Sequence, residues 1–399
     1  FQLTVNNPTG QAMKRTNVMM MLALLVSLAS AQDGNSGVLP VPVNQNRAAW
    51  FNGTSQYYSV TPASGTMDLN GSERLANPTF DANVTGWTGT VGMTLTHNTN
   101  ANRVRTGAGS AVVRSDGSAN GLFISSSGGS IITDATTNKQ TWEVWVYLPT
   151  TNASDSVRAS IFNQAASAIA SSAIVEPTKG TWTKLVVNTQ LPGTQTGLRV
   201  GVYYVNPVAG DSLYADDASL TQAWDVIAYA VFQKKNTGAD GGLIGCKTGT
   251  ANLSGYYLYS ASSNQITGKV SDGDASVTIS NTTTVSANQT YVAVWTLNKT
   301  GNGVGYLNNV STGSSSLLGL GKIICPTTLY LGGIAIGFIS PLNGWIGEIL
   351  FIRGTWSAPE LAAIATQLSV TKKPKAGYPG QVSGGYWTDW TAKGADKFH

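Results

Sequence analysis

Most of this chain keeps a period of two. TWEVWVYL (141–148), LRVGVYYV (198–205) and AWDVIAYAVFQ (223–233) alternate across two faces, and TWTKLVVNTQ, GYYLYSA, QITGKVSDG, QTYVAVWTLNKTG and NGWIGEILFIRG follow the same rhythm. Successive side chains of an extended strand point to opposite sides, so this pattern specifies strands with one face in a core. Clusters of Ser, Thr, Gly and Asn divide the runs, which is turn chemistry. The fold class that follows is all-β, with the strands stacked as β-sandwiches of the jelly-roll kind. One short helix is expected near the carboxyl end: Ser357 can cap it, Pro359 falls in its first turn, Glu360 follows three residues after the cap, and Leu361, Ile364 and Leu368 share a face.

Composition narrows the class further. A chain of 399 residues predicts two or three domains, and 42% hydrophobic residues suffice for their cores. Only 11% of residues are charged, against about 25% in an average soluble domain, and this texture belongs to β-rich extracellular or virion proteins. The net charge is +4, and Lys and Arg are dispersed except at Lys372, Lys373 and Lys375. Nothing here supports a nucleic-acid partner.

From Met13 the chain reads MKRTNVMMMLALLVSLASAQDG, with a basic start, an apolar stretch from Val18 to Leu28 and then Ala29-Ser30-Ala31. These are the parts of a secretory signal peptide, with cleavage expected after Ala31. The apolar run is short for a membrane span; the other reading is a buried strand or helix. Residues 1–12 lie upstream of that Met and read as translated-through sequence. Cys246 and Cys325 agree with export: they either pair across a loop of about eighty residues or stand as two buried thiols, and spacing alone leaves both open. Two cysteines with His97 and His399 show no metal-ligand spacing.

The organisation expected is a leader at 1–31, a linker at 32–48, a first sandwich formed by 49–72 together with 222–370, a second occupying 73–221, and a tail at 371–399. The first hairpin is AAWFNGTSQYYSV around an Asn-Gly turn. The tail ends in YWTDW, where Tyr386, Trp387 and Trp390 form an apolar patch suited to other copies of the chain or to virion proteins.

Two resemblances attach to these pieces. WFNGTSQYYSV, AWDVIAYAVFQ, GYYLYSASSNQITGKVSDG, TYVAVWTLNKTGNGVGYLNNV, TTLYLGG and LNGWIGEILFIRGTWSAPELAAIA stand in the order and spacing that resembles a concanavalin A-like lectin domain of the laminin-G-like type. LANPTFDANVTGWTGT, TGAGSAVVRSDGS, WEVWVYLP and DSLYADDASL resemble a jelly-roll carbohydrate-binding module. Together they imply a lectin-like sandwich interrupted after its first hairpin by a second sandwich. Such an insertion costs the host little where chain ends lie close together.

Catalysis finds little support. Concanavalin-fold glucanases use Glu-x-Asp-x-x-Glu, because hydrolysis with retention needs a nucleophile and an acid about 5 Å apart. The five glutamates, Glu73, Glu143, Glu176, Glu348 and Glu360, have no Asp two residues on, and His97 offers no triad base in context. The chain reads as a non-enzyme. Sugar binding asks instead for flat aromatic faces with polar groups beside them. In TWEVWVYL, Glu143, Trp145 and Tyr147 share one face opposite Trp142, Val144, Val146 and Leu148, and with Tyr204 they are the expected ligand face. Plain packing of these aromatics in the core is the competing reading, and the module motif assigns Trp87 there.

By the module resemblance Asp81 and Asp217 are the positions of a structural calcium, although Asp stands at 81 where Glu is frequent. The alternative is that Asp216 and Asp217 cap backbone NH groups in a turn. A weaker second cluster comprises Tyr256, Tyr257 and Tyr259 with Asp272 and Asp274. Nine Asn-x-Ser/Thr sequons, among them Asn52, Asn152 and Asn309, matter only in a eukaryotic secretory route. The function expected is an exported, non-catalytic lectin-like or adhesive protein that binds polysaccharide or cell-surface glycan. The alternative is a phage or virus virion component, a capsid decoration or tail fibre, which would retain residues 13–31.

Overall fold

The computed structural model describes residues 68–117, 121–125, 139–246, 254–325, 329–331 and 342–353, less four single positions, together with 49–52, 58–60 and Pro359. The signal-like segment, the helix expected at 357–368 apart from Pro359, and the YWTDW tail lie outside them. Among the described residues the regular structure is strand apart from a short 3-10 turn at Ala101–Arg103 and Pro359, in four antiparallel sheets that pack as two sandwiches.

The host sandwich pairs two six-stranded sheets. One runs in the order Ala49–Asn52, Asn343–Arg353, Val226–Lys234, Thr290–Leu297, Asn302–Leu307, Val310–Ser316; the other runs Ser276–Thr284, Gln265–Ser271, Gly255–Ser260, Gly241–Gly245, Leu329–Leu331, Tyr58–Val60. The first hairpin therefore splits, one strand to each sheet, and pairs with the far end of the chain. Alternation works as the sequence implies: Tyr256, Leu258, Val270, Ile279, Phe232 and Trp295 enter one shared core. Burial of such side chains contributes roughly 1.5–3 kcal/mol each. Cys246 and Cys325 are bonded beside this core, their Cα atoms 5.3 Å apart.

The insert also has two layers. Ala168–Ser171, Ser156–Phe162, Arg199–Val205, Gly121–Ser125 and Trp87–Thr90 form one sheet; Trp182–Gln190, Lys139–Tyr147, Ser212–Ala223, Ser110–Ser115 and Met93–Asn98 form the other. The incoming strand Asn70–Glu73 pairs with the end of the outgoing strand, Ala223 opposite Asn70. Trp87 lies in the insert core, stacked on Phe123 at 4.8 Å between ring centroids, with its indole NH donating to the Asn77 carbonyl.

Candidate functional site

The strand Lys139–Tyr147 turns Trp142, Val144 and Val146 fully into the insert core, so Glu143, Trp145 and Tyr147 face outward together as the period of two requires. That outward face is divided in the structure. Its first half is pressed against the host. Glu143 Oε2 accepts from the Lys322 backbone NH at 2.7 Å and lies 3.3 Å from Lys184 Nζ. Lys184, on the adjacent insert strand, also reaches the host carboxylates of Asp272 at 3.1 Å and Asp274 at 2.9 Å. Trp145 is covered by the Arg105 guanidinium 3.7 Å above its ring. Glu143 thus belongs to the contact between sandwiches, and Trp145 lies under an arginine of the insert itself, a correction to the expected ligand face. A strand pattern shows which residues share a face, but not what that face meets.

The junction is electrically dense. Burial lowers the affinity of Lys184 for its proton, but the Glu143 and Asp272 carboxylates outweigh it and hold the ammonium above the usual lysine range. Burial would likewise raise Asp272, and Lys184 with the backbone NH groups of Ala275, Gly321 and Asp274 holds it below the ordinary value. Lys299 is fully buried, donating to Leu320 O and to Asn188 Oδ1, and desolvation brings it down to about 7. Asn188 in turn donates to the carbonyls of Leu318 and Leu320, each at 2.7 Å. Gly321 sits here because nothing larger fits: a Cβ would lie 1.7 Å from Glu143 Oε2.

The second half of the face is different. Register places Trp182, Tyr147 and Tyr214 directly opposite one another on three adjacent strands. Their rings form a row, 5.6 Å from Tyr147 to Trp182 and 6.0 Å from Tyr147 to Tyr214. Tyr147 is buried between its two half-buried neighbours, and the Arg103 guanidinium lies 4.5 Å above its ring. Sequence reading found the middle ring and missed the flanking pair, because cross-strand register joins residues that the chain separates by thirty and more positions.

Tyr204 is a second correction. Its ring enters the insert core at 1% exposure, and its hydroxyl accepts from Asn152 Nδ2 at 2.7 Å and donates to the Ser154 carbonyl. Burial, with the Asp211 carboxylate nearby, holds its phenol well above the ordinary tyrosine range. The apolar phase of Leu198, Val200 and Val202 carries this signal, since Tyr204 continues it. Tyr203 points the other way, under the Arg158 guanidinium at 4.7 Å.

The calcium positions are tied up locally. Asp217 stands at a register shift in the outgoing strand with φ at 46°, a bulge that turns Asp216 inward and Asp217 out. Its carboxylate meets the Arg105 guanidinium at 2.5 Å and the Thr106 hydroxyl at 2.6 Å. Asp81 Oδ1 accepts from the Ala108 backbone NH at 2.7 Å, and a Cβ at Gly107 would strike it. A guanidinium already neutralises Asp217, so these residues do not fit a calcium ion as they stand. Among the described residues no group of three His, Cys, Asp or Glu side chains converges as metal ligands would.

Among the described residues the buried carboxylates are engaged by backbone NH groups and a lysine. Asp211 accepts from the NH groups of Ala153, Ser154 and Val208, and Asp225 meets Lys139 at 2.5 Å. Asp216 is raised to about 6, chiefly by burial, yet its oxygens accept from the NH groups of Arg105, Thr106 and Asp217 and its exposure is 0%. It ties the Arg105–Thr106 loop to the outgoing strand and reaches no solvent.

No protein-family model and no curated sequence matches the chain. Solved structures to which part of the chain is similar include that of botulinum neurotoxin type C, described as entering cells through interaction with two ganglioside molecules, at 14% identity, TM-score 0.29 and 36% of each chain. The CBM40 of Ruminococcus gnavus IT-sialidase bound to α2,3-sialyllactose matches at 16% identity and TM-score 0.32, over 36% of this chain and 83% of that one. The arabinose-bound MgGH51 α-L-arabinofuranosidase matches at 15% identity and TM-score 0.33, over 48% and 31%. The chain spans about a third of the length of the neurotoxin it matches. These are likenesses of parts, and they set no function for the whole. No helix among the described residues is long and apolar enough to cross a membrane.

Proposed function

We propose that this is a non-catalytic glycan-binding protein and that the row Trp182, Tyr147 and Tyr214 is its sugar platform. The observation that carries this reading is the row itself: three aromatic rings in register across three strands, outside the core, at the edge of the contact between two sandwiches. Domain borders are preferred places for ligands. The half-buried Trp182 and Tyr214 rings offer faces to the apolar side of a pyranose, and the Arg103 guanidinium that covers the buried Tyr147 between them supplies donors for sugar hydroxyls or an acidic substituent. The nearby carboxylates are held by lysines and backbone NH groups, so the site binds without cleaving.

A glycan array probed with the wild type and with the Trp182→Ala, Tyr214→Ala double variant tests the proposal. Binding to a defined glycan set should fall tenfold or more in the double variant while Trp145→Ala retains it. Equal binding by the double variant and the wild type would remove the platform from this face.

A further inference from the structure

The host sandwich carries a second pair of aromatic rings outside any core, and its surroundings differ from those of the insert. On the strand Gly255–Ser260, Tyr256 and Leu258 enter the host core, which turns Tyr257 and Tyr259 to the opposite face. Their ring centroids are 5.4 Å apart, and both side chains are half-buried. The strand on one side carries a buried glycine at both positions: Gly245 stands opposite Tyr257 and Gly242 opposite Tyr259. On the other side the partners are hydrogen-bonding residues, Lys269 opposite Tyr257 and Thr267 opposite Tyr259. The Asp240 carboxylate is near enough to both phenols to raise their pKa values, after burial, which is the larger cause. One of its oxygens accepts from the Ser262 NH at 2.5 Å, and no ion pair to Asp240 or Lys269 forms among the described residues.

We infer that Tyr257 and Tyr259, with Asp240, Lys269 and Thr267, form a second carbohydrate platform, specific for a neutral linear polysaccharide of hexopyranose units. The separation of the rings is close to the length of one pyranose, so adjacent sugars of an extended chain meet adjacent rings. A carboxylate with an ammonium and a hydroxyl suits a ligand dense in hydroxyl groups and without net charge. Two platforms on one chain also raise the residence time on a long polysaccharide through effective concentration.

Affinity electrophoresis in gels cast with hydroxyethylcellulose, glucomannan or laminarin tests this site apart from the insert. In the background of Trp182→Ala and Tyr214→Ala, at least one of these neutral polymers should retard the protein. Adding Tyr257→Ala and Tyr259→Ala should weaken that retardation fivefold or more, and Tyr257→Phe with Tyr259→Phe should largely keep it, since the ring and not the hydroxyl provides the contact. An unchanged thermal midpoint shows that the alanine variants are folded. Absence of retardation in every gel, or retardation that survives both alanines, overturns the inference and leaves the insert platform untouched.

Discussion

Lys184 and Asp272, 88 positions apart and in different sandwiches, meet at 3.1 Å in a setting where the carboxylate is wholly enclosed. Removing one partner of a buried pair leaves the other charged without compensation, which costs about 3–5 kcal/mol. Lys184→Ala should therefore lower the unfolding free energy by roughly that much, as measured by denaturant titration. The loss should depend on pH. Asp272 is held below its ordinary pKa, so its contribution is present above the usual carboxylate value and disappears as pH falls through the lowered one. Lys184 is held above its ordinary value, so its contribution is present below the usual lysine range and disappears as pH rises through the raised one. The difference between variant and wild type should be flat from about pH 5 to about pH 10 and shrink in acid.

Gly321 makes a sharper probe of the same contact. Its added methyl would sit 1.7 Å from Glu143 Oε2 and 2.7 Å from Lys184 Nζ. Gly321→Ala should displace the Glu143 carboxylate from the Lys322 NH and destabilise by about 1–3 kcal/mol. Faster amide exchange at Lys322, with the insert core unaffected, is the expected signature.

The bond between Cys246 and Cys325 closes a loop with a sequence separation of 79. In the loop-entropy account this is worth about 4 kcal/mol. Replacing both cysteines by alanine should lower stability by roughly 2–4 kcal/mol, seen as a drop in denaturant midpoint, and a reducing agent should no longer affect the variant.

Arg105 answers the calcium question by experiment. With its guanidinium 2.5 Å from Asp217, neither added calcium nor a chelator should move the thermal midpoint by more than about 1 °C. A larger rise with calcium would restore Asp81 and Asp217 as ligands and show that Arg105 can swing away.

How much of this was legible beforehand follows from what a strand pattern encodes. Alternation assigned Trp142 to one side and Glu143, Trp145 and Tyr147 to the other, and the structure agrees. The same pattern assigned Tyr204 to the ligand face although Leu198, Val200 and Val202 already fixed its phase inward. That error was avoidable. The company of Tyr147 was beyond reach, because Trp182 and Tyr214 join it through register and register is set by turns and packing across the whole sheet. The covering of Glu143 was equally hidden, since it depends on host residues such as Lys322 docking from elsewhere in the chain, and that of Trp145 depends on Arg105, forty positions away on another part of the insert.

The pairing of Asn70 with Ala223 means that the two crossing points of the insert are already neighbours in a ladder. A tight turn in place of everything between them would satisfy the connectivity of the host, so ancestry and engineering alike can treat the intervening sandwich as a removable cassette. Its excision would nonetheless strand Asp272, Asp274 and Lys299 without Lys184 and Asn188. The host has become dependent on its guest through charge, while remaining independent of it through topology.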